Sequence, residues 1–203
     1  MHKLQDWLAE YWVVGAGFMA AALIATAPVL MLSLPVFLIF LHSPVYMAHQ
    51  VEEHTHDRFR SFVNENVFGG RDALSVAAVL VINLPFVWGV NLLALYAAFA
   101  WGPAWGLVAP YVMLVNALAH LATSARLRKY NPGLITSVIL FLPLSLFTIW
   151  TIGWTGGVLP QLTGAVLAIV LHAGIIATVA HRYRSLAASP EAPRDLPDSL
   201  RAL

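Results

Sequence analysis

The sequence contains no cysteine and few charged residues, and each shortage excludes a class of structure. Because none of its 203 residues carries a thiol, the chain has no disulfide framework and no thiolate ligand for a metal ion. Charged residues make up 10% of the chain and hydrophobic residues 60%. Soluble domains carry about 25% charged residues, so this chain has too little charge to cover a water-exposed surface. Most of it is therefore expected to lie in lipid.

Two sequence signals that would indicate other classes of protein are also missing. The first residues, MHKLQDWLAEYWVV, place acidic residues and tryptophans before the apolar run and offer no small-residue cleavage site, unlike a cleaved signal peptide. Neither a G-x-G-x-x-G sequence nor a P-loop occurs. We therefore expect no nucleotide-binding loop and no nucleic-acid partner.

Long apolar runs separated by proline, glycine and tryptophan predict six membrane-spanning helices. The predicted spans are 6–27, 32–56, 73–98, 103–125, 134–153 and 159–181. Each is close to the ~20 residues that cross a bilayer. Residues 1–184 are thus predicted to form an all-α transmembrane bundle. Segment 185–203, which contains three prolines, is predicted to be a flexible cytoplasmic tail.

This topology places every lysine and arginine on one side of the membrane. The eleven cations precede the first span or follow the second, fourth and sixth: Lys3, Arg58, Arg60, Arg71, Arg126, Arg128, Lys129, Arg182, Arg184, Arg194 and Arg201. The positive-inside rule makes this side cytoplasmic, with both termini inside. We therefore expect a multi-pass protein of the bacterial inner membrane, since five or seven spans would divide the cations between both sides.

The second span contains the segment that carries most of the chemistry, HSPVYMAHQVEEHTH. Four of its residues are spaced i, i+3, i+4 and i+7, which puts them on one helical face: His49, Glu52, Glu53 and His56. Tyr46 extends this face and is predicted to orient a ligand, whereas His54 is predicted to point away. Two neighbouring carboxylates repel each other in apolar surroundings, and a divalent cation removes that cost. The alternative is that these groups face cytoplasmic water or pair with Arg58 and Arg60.

Histidines of two further spans are predicted to lie at a similar depth. His120 ends the sequence NALAH in the fourth span, one turn after Asn116, and His172 lies in the middle of the sixth. Counted from the cytoplasmic boundary, His49, His120 and His172 lie roughly 9 to 15 Å deep. We therefore predict a metal site with ligands from three spans, supported by Asn116. A hydrogen-bonded interior histidine is the alternative for His120 and for His172.

These segments resemble the HXXEE-domain family of small bacterial integral membrane proteins. The likeness rests on three motifs in order, across roughly residues 30–180: HQVEE at 49–53, NALAH at 116–120, and RKYNPGLIT at 128–136 with its Arg128, Tyr130, Pro132, Gly133 and Thr136. The resemblance implies a metal-dependent membrane enzyme without naming a reaction. Its motif residues in this chain are His49, Glu52, Glu53, Asn116 and His120, whereas His56 and His172 are added from helix geometry alone.

Two kinds of metal enzyme acting on a lipid-soluble substrate fit this ligand set. In the first, two irons share Glu52 and Glu53 as catalytic ligands, and the centre hydroxylates or desaturates a hydrophobic chain. Such an enzyme needs an external electron donor. In the second, one zinc binds His49, one glutamate and His120, and the other glutamate acts as the general base of a hydrolase. The predicted face supplies more ligands than one zinc needs, which favours the oxidoreductase.

Two readings without metal-dependent catalysis remain open. A transporter could use the same residues as a relay, although the acidic groups cluster at one end and no inverted repeat is visible. A subunit that binds haem or a pigment would explain lone histidines but not the adjacent glutamates. The small residues of GAGFMAAALIATA suit close helix packing within or between chains, so the sequence leaves the oligomeric state open.

Overall fold

The computed structural model describes the backbone of residues 2–188 and the side chains of Trp7 and residues 11–188. Within this part of the chain the fold is all helical and contains no strand, which confirms the predicted fold class. Most of the predicted tail, residues 189–203 with Arg194 and Arg201, lies outside the described residues.

The helices follow one another with short connections. Between residues 2 and 188 they are α1 (His2–Thr26), α2 (Leu34–His54), α3 (Arg58–Asn66), α4 (Val76–Val81), α5 (Gly89–Trp101), α6 (Val108–Leu127), α7 (Leu134–Thr136), α8 (Leu142–Ile152) and α9 (Val158–Ala187). π-Helical turns join α4 to α5 at Ile82–Trp88 and α7 to α8 at Ser137–Phe141. The first turn contains Pro85, whose missing N–H removes one helical hydrogen bond and favours a widened turn.

Six segments are long and apolar enough to cross a membrane, which confirms the predicted number of spans. From the first span to the sixth they are Tyr11–Val29, Leu34–Asn66, Val76–Trp101, Pro103–Leu127, Leu134–Ile152 and Val158–Ala187. The sixth continues beyond the predicted boundary at residue 181 and takes in residues 185–187 of the predicted tail. Arg182 connects its last turns to the segment before the third span, because Arg182 Nε donates to the Asp72 carbonyl at 3.0 Å.

The second span differs from its prediction at the cytoplasmic boundary. α2 ends at His54, and a 3₁₀ turn follows in which His56 and Asp57 have left-handed φ angles of 56° and 58°. Arg58 closes the end of α2, because its guanidinium donates to the carbonyls of Glu52 at 2.7 Å and Thr55 at 3.0 Å. A cation at this position also suits the negative end of the helix dipole. The predicted continuous helix through residue 56 is therefore wrong.

The connections that carry the cations lie together at one end of the bundle. Lys129, after the fourth span, donates from Nζ to Asn66 Oδ1 after the second at 3.1 Å. Arg182, in the last turns of the sixth span, pairs with Asp72 before the third at 3.3 Å. We call this the charged end. The contacts agree with a six-span arrangement in which even-numbered spans finish on the same side.

α2 lies at the centre of the bundle. It packs against α1, α5, α6 and α8, and the second span is the most buried of the six. Ionisable groups near the charged end of α2 are therefore sheltered from lipid by neighbouring helices, which is where polar groups in a membrane protein are tolerated.

Candidate metal centre

α2 supplies two of the converging side chains from adjacent turns of one face. His49 and Glu53 are spaced i, i+4, so both point from α2 toward α6. Both are buried, with 0% and 5% of their surface exposed. His49 Nε2 lies 3.4 Å from Glu53 Oε2.

α6 brings a third side chain to the same point. His120 Nε2 lies 3.4 Å from Glu53 Oε1, and the two imidazole rings are 5.1 Å apart and nearly perpendicular. One ligand atom each from His49, Glu53 and His120 lies within 4.8 Å of the other two, so the three could hold a metal ion. We call these residues the triad.

An asparagine fixes which nitrogen of His120 faces Glu53. Asn131 Nδ2 donates to the backbone carbonyl of His120 at 2.8 Å, so its Oδ1, 2.6 Å from His120 Nδ1, must accept a hydrogen bond. The ring proton of neutral His120 therefore lies on Nδ1, and Nε2 presents a lone pair to Glu53.

A threonine sets the same tautomer on His49. Thr136 Oγ1 donates its single proton to Glu52 Oε2 at 2.5 Å and must therefore accept from His49 Nδ1, 2.7 Å away. His49 Nε2 is consequently a lone-pair atom directed at Glu53. It is completely buried and has no hydrogen-bond partner among the described residues.

The chemistry of the triad fits a transition-metal ion. Two imidazole lone pairs and a carboxylate converge, and such a set of electron donors repels itself unless a cation lies between them. Two histidines and one glutamate are the ligands of one type of catalytic zinc site, which keeps a fourth position open. The same donors form the iron-binding facial triad. Binding of the second ring nitrogen to a fixed acceptor is the usual support for a metal-bound histidine.

Glu52, predicted to be a ligand, is instead engaged by the start of the fifth span. Its Oε2 accepts from the N–H and the hydroxyl of Thr136 at 2.7 and 2.5 Å. Its Oε1 accepts from the Ile135 N–H at 3.1 Å and the Tyr130 hydroxyl at 2.6 Å. Burial and the Glu52 carboxylate raise the pKa of Tyr130 to about 12, so this phenol keeps its proton at neutral pH. All strong acceptor positions of Glu52 are thus used outside the triad.

His54 lies beside the triad, contrary to the prediction that it points away. Its Nε2 is 3.0 Å from Glu53 Oε2, and the residue is 5% exposed. Its ring packs between Trp12, 5.1 Å away, and Phe59, 5.7 Å away. Trp12 belongs to α1 and Phe59 to α3, so this position depends on neighbours that helix spacing alone does not reveal.

Two predicted ligands lie apart from the triad. His56 is exposed and follows the end of α2, so the predicted i+7 position on the common face does not exist. His172 is half-buried in α9, and its Nδ1 contacts the Ala168 carbonyl at 2.8 Å. Of the six residues predicted to bind a metal, the structure therefore brings three together.

The two predicted supporting residues take different positions. Tyr46 is buried, and its ring lies 5.9 Å from the His49 ring, edge to face. Asn116 lies on α6 one turn from His120, but its buried Oδ1 has no hydrogen-bond partner in the described part of the chain. The functional contacts made by Asn131 and Thr136 were missed, although Thr136 belongs to the third resemblance motif.

Aromatic rings pack against the histidines of the triad. The Phe141 ring lies 4.2 Å from His49, and the Phe59 ring lies 5.6 Å from His120. Together with Tyr46 they give the triad apolar walls. An ion held here would lie in dry surroundings, where charge interactions are stronger than in water.

One known protein family matches the part of the chain that carries the triad. Residues 40–148 match the family described as "Protein of unknown function with HXXEE motif". The chain belongs to the HXXEE family. In this member the motif residues are His49, Glu52 and Glu53, and the matched region also contains His120, so it covers the whole triad. No curated protein and no solved structure matches the chain.

Proposed function

We propose that this HXXEE protein is a metal-dependent membrane enzyme that binds one divalent ion and hydrolyses a lipid-soluble substrate. The observation that carries the proposal is the triad, in which one ligand atom each from His49, Glu53 and His120 lies within 4.8 Å of the others. Three protein ligands leave a position for water or substrate, as catalytic zinc sites do.

A single ion is favoured over the predicted pair of irons by the hydrogen bonds of Glu52. A two-ion centre would need both glutamates as ligands, whereas Glu52 already accepts four hydrogen bonds from residues 130–136. Removing it from these partners would break four hydrogen bonds, two of them with the part-buried Thr136, at about 0.5–1.5 kcal/mol for each typical bond. One zinc needs no such rearrangement.

Zinc would supply a Lewis acid and a water molecule with a lowered pKa. The residues of the chain hold and orient the ligands and keep bulk water out. Asn131 and Thr136 hold the two imidazoles in the ligating tautomer. Phe141 and Phe59 pack against the two imidazoles and give the triad apolar surroundings, which supports a lipid-soluble rather than a charged substrate.

The second candidate is an iron-dependent oxidoreductase, because two histidines and one carboxylate are also the ligands of mononuclear non-haem iron. It would act on the same class of substrate and would require an external electron donor. The number and identity of the bound ions separate this candidate, the two-iron enzyme and the hydrolase.

The charged end is proposed to face the cytoplasm of a bacterial cell, with the chain in the inner membrane. Support comes from the eleven cations, all of which six spans place on one side. The triad lies near this end, so the substrate would enter from the cytoplasmic leaflet.

Metal analysis of the full chain, purified in detergent without chelators, tests the proposal. We expect about one zinc per chain, and expect Glu53→Gln and His120→Ala to lose it while remaining inserted and folded. His56→Gln is the matched control, because this exposed histidine lies off the triad, and it should retain the ion. One iron would favour the mononuclear oxidoreductase and two irons the predicted pair. A chain without any transition metal would refute the enzyme proposals. A haem-like absorption band would indicate a subunit that binds haem or a pigment instead.

A further inference from the structure

We propose that the two glutamates of the motif have separate tasks, with Glu53 binding the ion and Glu52 acting as a positioning residue for His49 through Thr136. The inference rests on the proposed metal site and deepens it. It assigns to Glu52, Thr136 and Asn131 the task of keeping both imidazoles ready to bind.

The adjacent positions of the glutamates explain why they separate. Successive residues of a helix point about 100° apart, so Glu53 faces α6 while Glu52 faces α7. Glu52 therefore meets the first turn of the fifth span, whose N–H groups have no partner within that helix. It accepts from the N–H groups of Ile135 and Thr136, which makes it a cap supplied by another helix.

The Thr136 hydroxyl carries the effect of Glu52 to His49. With Glu52 accepting its proton at 2.5 Å, Thr136 Oγ1 offers only lone pairs to His49 Nδ1 at 2.7 Å. Without the carboxylate, the hydroxyl is free to donate to His49 Nδ1 or to the Gly133 carbonyl, 3.3 Å away. In molecules where it donates to His49, the imidazole carries its proton on Nε2 and no longer presents a lone pair to an ion.

His120 provides an internal reference in the same molecule. Its Nδ1 contacts Asn131 Oδ1 at 2.6 Å, and the amide of Asn131 is held by the His120 carbonyl at 2.8 Å. This pair makes no hydrogen bond to Glu52 among the described residues, so loss of the carboxylate should change the tautomer of His49 and leave that of His120 as it is. A general loss of structure would change both.

The test records nitrogen NMR spectra of the full chain with ¹⁵N-labelled histidine, in detergent and without metal. In the wild-type protein we expect His49 and His120 both as the Nδ1–H tautomer. Glu52→Gln and Thr136→Val should convert His49 to a mixture while His120 stays unchanged. Thr136→Ser, which keeps the hydroxyl, should restore the wild-type spectrum, and Glu65→Gln, at an exposed acid on α3, is the matched control.

Zinc titration of the same variants gives the second measurement. Glu52→Gln and Thr136→Val should each weaken zinc binding about 10- to 100-fold at unchanged stoichiometry, the usual effect of removing a ligand's supporting partner. The double variant should be no weaker than Thr136→Val alone, because Glu52 acts through Thr136. Glu53→Gln should lose the bound ion.

The outcomes separate this inference from the proposed function. If the wild-type protein binds no metal, the proposed function fails, and the metal-free spectra still decide the role of Glu52. If Glu52→Gln leaves both the His49 tautomer and the zinc affinity unchanged, the inference is wrong. It is equally wrong if Glu52→Gln removes the ion in the same way as Glu53→Gln, since Glu52 would then be a ligand.

Discussion

At the scale of single residues, Gly133 is the point where the connection between the fourth and fifth spans meets both histidines of the triad. A Cβ added there would lie 2.7 Å from His120 Cε1 and 2.8 Å from His49 Cε1. The φ angle of Gly133 is +95°, which residues with a side chain rarely adopt. Asn131 and Pro132, just before it, are buried as well. The segment therefore covers the triad closely because glycine allows backbone to approach the rings.

Replacing Gly133 by alanine should displace this segment from the triad. We expect a loss of about 1–3 kcal/mol from overpacking and a further ~1–2 kcal/mol from the left-handed backbone, together with weaker zinc binding. Thermal unfolding and zinc titration in detergent measure the two effects. Gly174→Ala is the control, because no atom lies within 4 Å of its added Cβ. Wild-type stability and affinity in Gly133→Ala would show that the segment does not press on the ligands.

At the scale of helices, α2 is joined to the third span by a buried polar network as well as by apolar packing. Gln50 is completely buried, its Nε2 donates to Asn83 Oδ1 at 3.0 Å, and Trp88 Nε1 donates to its Oε1 at 2.9 Å. The buried face of the fifth span differs, because Ser145 Oγ has no partner among the described residues. The same bundle thus contains a buried polar side chain with hydrogen-bond partners and one without, so the effects of removing each on stability can be compared directly.

Two substitutions should distinguish a satisfied polar group from an unsatisfied one. Gln50→Leu removes the partner of Trp88 Nε1 and the donor to Asn83 Oδ1, and it should lower stability by about 0.5–2 kcal/mol, the range for hydrogen bonds between membrane helices. Ser145→Ala removes a buried hydroxyl that bonds nothing and should be neutral or stabilising. Thermal unfolding of both variants in one detergent gives the comparison. A larger loss for Ser145→Ala would mean that its hydroxyl has a partner such as water.

Helix spacing predicts the triad better than it predicts the rest of the motif. The i, i+4 relation of His49 and Glu53 needs only a continuous helix, and α2 is continuous there. His56 required the helix to continue for two more residues, and the closing contacts of Arg58 end it at His54. Spacing also placed Glu52 on the common face, at i+3 from His49, but its contacts with Ile135 and Thr136 on α7 hold it away from the triad.

At the scale of the whole molecule, the six spans and the grouping of the cations could be predicted from the sequence. Both depend on the length of apolar runs and on which connections carry charge, and neither requires knowledge of side-chain contacts. The placement of Asn131 and Thr136 against the histidines could not be predicted, because it depends on how the connection after α6 folds back over α2.

The absence of cysteine makes the orientation directly testable with single introduced cysteines. Arg126 lies in the last turn of the fourth span at the charged end. Thr155 lies in the connection before the sixth span, and both residues are exposed. In intact bacterial cells, a thiol reagent that cannot cross the inner membrane should label Thr155→Cys. Arg126→Cys should be labelled only after the membrane is permeabilised, and the reversed pattern would place the charged end outside. The unmodified chain serves as the blank.

The distribution of the triad over the chain sets the order in which the site is completed during synthesis. His49 and Glu53 enter the membrane with the second span, whereas His120 arrives with the fourth. Asn131 and Thr136, which fix the ligating nitrogens, follow only with the start of the fifth. A nascent chain therefore has two of the three triad residues in place while two further spans are being inserted, and in the proposed enzyme the ion would be loaded late in membrane assembly.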